Sequence, residues 1–157
     1  MRTLGFYQPF CSLMFHGKLE TRWVREGKKP PFPEGEYLLY STIEPCDAFT
    51  LYNWCGPEIA LNIQKKLEGD TSRFRNKRAL GIGTLIDVRP MVKEDEKRAF
   101  VKHIGYKVDV INGKHITKRQ WILEFENVYR ILDFEWKYGK QGVGKVPDFE
   151  ISKIIKT

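Results

Sequence analysis

The sequence predicts an α+β domain, a small barrel or strongly bent sheet with two or three short helices. Three observations lead there. Apolar runs of strand length recur along the chain. Helical spacing is confined to short stretches, and Pro- and Gly-rich breaks separate the runs. With 157 residues, 41% of them apolar and 13% aromatic, the chain fits a single domain spanning 1–157 and needs no disulfide staples.

Each element has a local reason. Residues 2–6 read as a short first strand. Pro9 suits a first helical turn, and Phe10, Leu13 and Met14 recur at helical spacing until Gly17. The run Lys28–Gly35 holds three prolines, so it is an exposed loop. Glu36–Thr42 is strand-like. Gly56-Pro57 opens a second helix whose Ile59, Ile63 and Leu67 share a face, with Gly69 as its stop. Residues 71–78 form a basic run around Phe74. Ala79–Val88 is a long apolar strand, and Lys93–His103 reads as helix. Tyr106–Thr117 reads as a hairpin around Asn112-Gly113, a strong turn pair. Trp121, Leu123 and Phe125 alternate with Ile122, Glu124 and Glu126, as in a half-buried strand. Lys137–Lys145 is rich in glycine and lysine.

Several classes are excluded or made unattractive. No apolar stretch approaches the roughly 18 residues of a membrane span, and the N-terminus lacks the apolar core of a signal peptide. Cys11, Cys46 and Cys55 are an odd set without a Cys-x-x-Cys pair, which argues for a reducing, cytoplasmic setting. A metal set drawn from Cys46, Asp47, Cys55 and His16 has no supporting spacing, so neither metal nor cofactor is expected. His103 and His115 stand alone. Gly81-x-Gly83 and Gly142-Val143-Gly144-Lys145 are not nucleotide loops. The net charge of +7 attracts polyanions, of which nucleic acid is the commonest inside a cell.

The chemistry is concentrated in His16-Gly17-Lys18-Leu19-Glu20-Thr21-Arg22-Trp23. In an extended chain Lys18, Glu20 and Arg22 share one face while Leu19, Thr21 and Trp23 share the other. A cation–carboxylate–cation face pairs internally and with a polar ligand. The plain alternative is a surface strand with a charge ladder.

Gln8-Pro9, Ser12-Leu13, Gly17-Lys18 and Glu20-Thr21-Arg22-Trp23, taken in order, resemble the opening of the ASCH (activating signal cointegrator homology) domain. Tyr37–Thr42, with Ser41 near its end, resembles that family's next strand, and Ala79–Leu85 its central strand. Trp121–Val128 and Gly139-Lys140-Gln141-Gly142 resemble its closing strand and glycine turn. The order holds from Thr3 to about Val146. The chain departs from the pattern in a shorter spacing between Gly17 and Arg22, and in the additional Tyr106–Thr117 hairpin.

The resemblance implies a PUA-like fold, a small β-barrel of about five to seven strands, whose cleft several relatives use for RNA or modified bases. It further implies that Gln8, the Gly17–Trp23 run, Ser41 and the Gly139–Gly142 turn face that cleft. The first expectation is therefore binding of RNA or another nucleic acid, or of a modified nucleoside. Lys18, Arg22, Lys140 and Gln141 would meet phosphate and base edges, and Trp23 would stack. Arg73 and Arg75 would extend the basic footprint. The alternative is an amidohydrolase that removes an N4-acyl group from cytidine through a Lys–Thr–Glu site. Its Lys-x-x-Thr spacing is kept as Lys18 and Thr21. The carboxylate remains open between Glu20, Glu94 and Glu96. A metal-dependent ribonuclease ranks third.

Overall fold

Strand pairing follows the apolar runs. The computed structural model describes residues 1–6, 11, 14–15, 22–41, 53, 55–58, 60–61, 65, 77–99, 101–104, 106–136, 143–145 and 154. Its strands are β1 (Arg2–Phe6), β2 (Arg22–Gly27), β3 (Gly35–Ser41), β4 (Arg78–Pro90), β5 (Tyr106–Ile111), β6 (Lys114–Glu135) and β7 (Val143–Lys145). They form one mixed sheet in the order β2-β6-β4-β3-β1-β7, with β5 paired to β6. Only β1 and β3 run parallel among these pairs.

Strand β6 is the spine. It has 22 residues, of which Trp121–Glu135 pair with β4 along one side and Arg119–Glu124 with β2 along the other. At Arg119 it pairs with both Gly27 of β2 and Tyr106 of β5, so those two strands flank it on opposite sides. The β4–β6 ladder shifts register three times, and Asn127, with φ of 50°, lies at one shift. Each extra residue bends a strand and raises its local twist. The result is a sheet curled into a half-barrel with few helices.

The curl encloses a core of Leu4, Phe6, Tyr37, Leu39, Leu85, Leu123, Phe125 and Val128, joined by Cys11, Met14 and Phe15 from the segment after β1. Phe6 meets Phe125 edge-on at 6.4 Å. A second cluster on the opposite face gathers Leu38, Tyr40, Ala79, Ile82, Ile131 and Trp136. Tyr37 to Tyr40 are therefore all buried. That explains why β3 reads as a continuous apolar run instead of an alternation.

Two expectations change. Ile122, assigned by alternation to a polar face, is fully buried with Met91, Ala99 and Val24 in a third small cluster. The Lys93–His103 helix is reduced to a 3-10 turn, Lys93–Asp95, and a short α1, Glu96–Ala99. Buried Gln120 is the reason: its carboxamide accepts from Ile104 N and donates to Lys102 O, both at 2.9 Å. Those backbone groups then have partners outside a helix. The hairpin is as expected, with Asn112 and Gly113 at φ of 53° and 75°, the left-handed pair of a type I′ turn.

Candidate functional site

The chain enters the His16–Trp23 run at Phe15 and leaves it along β2, and both ends are fixed to β6. Phe15 is buried, and its ring lies over Gly81 of β4. A Cβ at Gly81 would meet the ring closer than any real contact and would stand 2.5 Å from the Tyr129 carbonyl oxygen. Glycine is therefore required here for close approach, not for backbone freedom. Directly opposite Gly81, Arg130 donates its Nε to Phe15 O at 2.8 Å, and its Nη2 donates to the same carbonyl. A charged donor makes each such bond worth about 1.5–3 kcal/mol when partly buried. One residue pair on the sheet thus holds both the ring and the backbone of Phe15.

At the exit, Arg22 pairs with Glu124 of β6, and Glu124 pairs in turn with Asp87 of β4. Carboxylates directly opposite each other on a sheet repel. Arg89, two residues along β4, compensates. Its Nε stands 3.7 Å from Glu124 Oε2, and its Nη1 and Nη2 each donate to Asp95 at 2.7 Å. Asp95 is almost wholly buried and also accepts from Val92 N at 3.0 Å, so its charge is satisfied on both oxygens. The Asp95 hydrogen bonds, then the nearby carboxylate charges, hold the Arg89 guanidinium above its usual range, against the opposing effect of burial. Glu124 and Arg89 keep about a quarter of their side chains in solvent, each 28% exposed. The β6–β4 ladder therefore carries Glu124 and Arg89 as a partly solvated pair of opposite charge, at the register position of Arg22.

Of the residues singled out in the sequence, Gln8, Lys18, Glu20, Thr21, Arg73, Arg75, Lys140 and Gln141 lie outside the described residues, as does the Gly139–Gly142 turn. Arg22 and Trp23 open β2, opposite Glu124 and Leu123. Ser41 is buried; its hydroxyl accepts from Arg78 N at 3.0 Å and donates to Arg78 O at 3.4 Å, fastening the end of β3 to the start of β4. Arg78, the last cation of the basic run, pairs with Asp133 through Nε and Nη2 at 3.0 and 2.8 Å. Glu96 accepts from His103 N at 3.4 Å, so one proposed carboxylate serves the loop after α1.

Glu124, Asp87, Arg89, Asp95 and Arg130 were not singled out. Glu124 lies inside the closing strand Trp121–Val128, but its relation to Arg22 depends on register between strands about a hundred residues apart. Arg130 carries no sequence signal at all.

Among the described residues no group of three or more His, Cys, Asp or Glu is placed to hold a metal ion. No helix among them is long and apolar enough to cross a membrane. No protein-family model matches the chain, and no curated protein matches it.

Proposed function

We propose that the chain binds RNA, or a modified nucleobase or nucleoside, at the Gly17–Trp23 run, as an ASCH-type member of the PUA-like superfamily acting in the cytoplasm. The supporting observation is the double tether. Phe15 is clamped by Gly81 and Arg130, and Arg22 is paired with Glu124, so the run starts and ends on the same strand. Pre-organised ends lower the ordering cost of binding. Lys18 and Arg22 supply charge for phosphate, Glu124 accepts from an exocyclic amine, and Trp23 offers a stacking face. The excess of cations over anions, +7 across the chain, raises the local concentration of such ligands.

The test is retention of labelled single-stranded RNA and DNA pools at low salt, together with equilibrium dialysis against N4-acetylcytidine. Binding that weakens at least tenfold in Lys18→Ala and Arg22→Ala, with folding intact, supports the proposal. No retention of any oligonucleotide or nucleoside by the wild-type chain refutes it.

A second reading, hydrolysis of an N4-acyl cytidine, gains one observation: Glu124 supplies a carboxylate at the register position of Arg22. Water would add to the acyl carbonyl, the C–N bond would break, and cytidine and a carboxylic acid would leave. Release of acetate from N4-acetylcytidine that disappears in both Lys18→Ala and Glu124→Gln would favour it over binding alone.

A further inference from the structure

The face of β2 and β6 that lines the core continues past the core. Leu123, on that face, is fully buried. Two residues earlier on β6, Trp121 stands directly opposite Arg25 of β2, and both are half-buried. Two residues earlier again, Arg119 is exposed. Alternation along the strand puts Leu123, Trp121 and Arg119 on one face, so the core face here runs out into solvent.

What it carries at that point alternates ring and cation. The Arg25 guanidinium lies 4.8 Å from the centre of the Phe32 ring, itself packed against the core. The Arg119 guanidinium lies 5.7 Å from the centre of the Trp121 ring. Trp121 Nε1 donates to Gly27 O at 3.0 Å, which holds the indole in one orientation with its donor satisfied. Cation–ring contacts alone are common in proteins and imply no ligand. Charge singles this one out. Glu26 and Glu124, the carboxylates of the paired segments of β2 and β6, stand opposite Gln120 and Arg22 on the other face. Among the described residues Arg119 meets only the Trp121 ring and no carboxylate. Exposed Lys28 and Lys29 directly follow Gly27. Uncompensated cations call for an anion, and fixed planes of indole and guanidinium call for a flat group to stack on them.

We propose that this row takes an unpaired polynucleotide strand. One base stacks on the platform of Trp121 and Arg119, beside the Arg25–Phe32 pair, and phosphates meet Arg119, Lys28 and Lys29. The row lies along β2 from the Gly17–Trp23 run. The distance from Arg22 to Gly27 is about 17 Å at a normal strand rise, several times the roughly 3.4 Å between stacked bases. A free nucleoside at the run does not reach the row, whereas a strand does. The proposal rests on the function given above for its class of ligand and narrows it to a strand. Duplexes fit less well, because their paired and stacked bases present no free face.

The test is fluorescence anisotropy of the full chain with labelled single-stranded RNA and DNA of about eight nucleotides and with an RNA duplex, beside equilibrium dialysis against N4-acetylcytidine. At least one of the single strands should bind at least tenfold tighter than the nucleoside or the duplex, and the sugar preferred tells RNA from DNA. Trp121→Leu should weaken strand binding at least fivefold, as loss of a stacked base does. Arg119→Gln should weaken it and lower the log–log salt slope by about 0.7, the contribution of one phosphate on a single strand. Arg119→Lys should restore the slope. Arg119 is exposed, so its variants test the row even where Trp121→Leu fails to fold; melting curves check each.

Strand binding that Arg119→Gln or a folded Trp121→Leu leaves unchanged overturns the proposal and leaves the function given above standing. So does a nucleoside bound as tightly as a strand, or a duplex bound more tightly. Failure of the wild type to bind any nucleoside or oligonucleotide removes both. Strand binding lost in the Arg119 and Trp121 variants but untouched by Lys18→Ala and Arg22→Ala supports the row and refutes the run.

Discussion

Replacing Gly81 by alanine is the most direct probe of how the fold holds the candidate site. The new methyl carbon would fall closer than 3.0 Å to the Phe15 ring and 2.5 Å from Tyr129 O. Carbon–carbon contacts relax only near 3.5–4.0 Å, so the ring must move by on the order of an ångström or leave its site. Leaving costs the burial of a phenylalanine, about 1.5–3 kcal/mol, together with part of the Arg130 hydrogen bonding to Phe15 O. Against this, alanine in a strand recovers about 0.5–1 kcal/mol of unfolded-chain entropy relative to glycine. The net expectation is destabilisation of roughly 2–4 kcal/mol.

Gly83→Ala is the internal control. The nearest atoms to its methyl would be side-chain carbons of Val128, Leu39 and Phe125, at 3.2–3.3 Å. They need shift by only a few tenths of an ångström and no backbone atom is among them, so the cost should be smaller than at Gly81, about 1 kcal/mol. Urea titration followed by tryptophan fluorescence measures both. In a Phe15→Ala background the additional cost of Gly81→Ala should shrink by about half, because only the Tyr129 carbonyl remains in the way. Equal destabilisation by Gly81→Ala and Gly83→Ala would refute the assigned contact between Phe15 and Gly81. So would full additivity of Phe15→Ala and Gly81→Ala.

Three further outcomes are expected. Asp95→Ala leaves Arg89 without its bidentate partner beside two other carboxylates, and should cost about 2–4 kcal/mol in urea unfolding, below the fully buried range because Arg89 is partly solvated. Burial raises the hydroxyl pKa of both Tyr37 and Tyr40, Tyr37 despite the opposing charge of Arg2 and Tyr40 despite that of Arg25. The folded state then keeps protons that the unfolded chain releases near pH 10, so stability is complete below about pH 10 and declines above it. Absorbance at 295 nm against pH, run beside melting curves, should show tyrosinate appearing together with unfolding. Gly113→Ala places a Cβ at φ of 75° in the hairpin turn and should cost about 1 kcal/mol, read by thermal melting.

Much of the sheet was legible because strand identity is local. Arg2–Phe6, Gly35–Ser41, Arg78–Pro90 and the Asn112-Gly113 turn fall close to where apolar runs and turn residues put them. What escaped depends on partners distant in sequence. Ile122 looks solvent-facing until α1 and Met91 cover it. The helix after Lys93 looks longer than it is until Gln120 binds the backbone at residues 102 and 104. The same limit applies to the candidate site. The Gly17–Trp23 run stands out by composition, whereas its neighbours Glu124, Asp87 and Arg130 are defined only by strand register. Register depends on bulges such as the one at Asn127, which no single-residue propensity announces.

The dependence of β2 on β6 also bears on how the protein is made. In the described ladders β2 pairs only with Arg119–Glu124, so a growing chain has emitted about a hundred further residues before that partner exists. At about 5–20 residues per second this interval lasts seconds, long compared with hairpin closure. Throughout it, Arg22–Gly27 remains an unpaired strand on the nascent chain, and its Arg22, Arg25 and Glu26 discourage premature pairing with other chains. Arg22, proposed above to meet a ligand, would then also guard the strand during synthesis. Neutralising these charges should lower the soluble yield from translation even where the finished fold is equally stable.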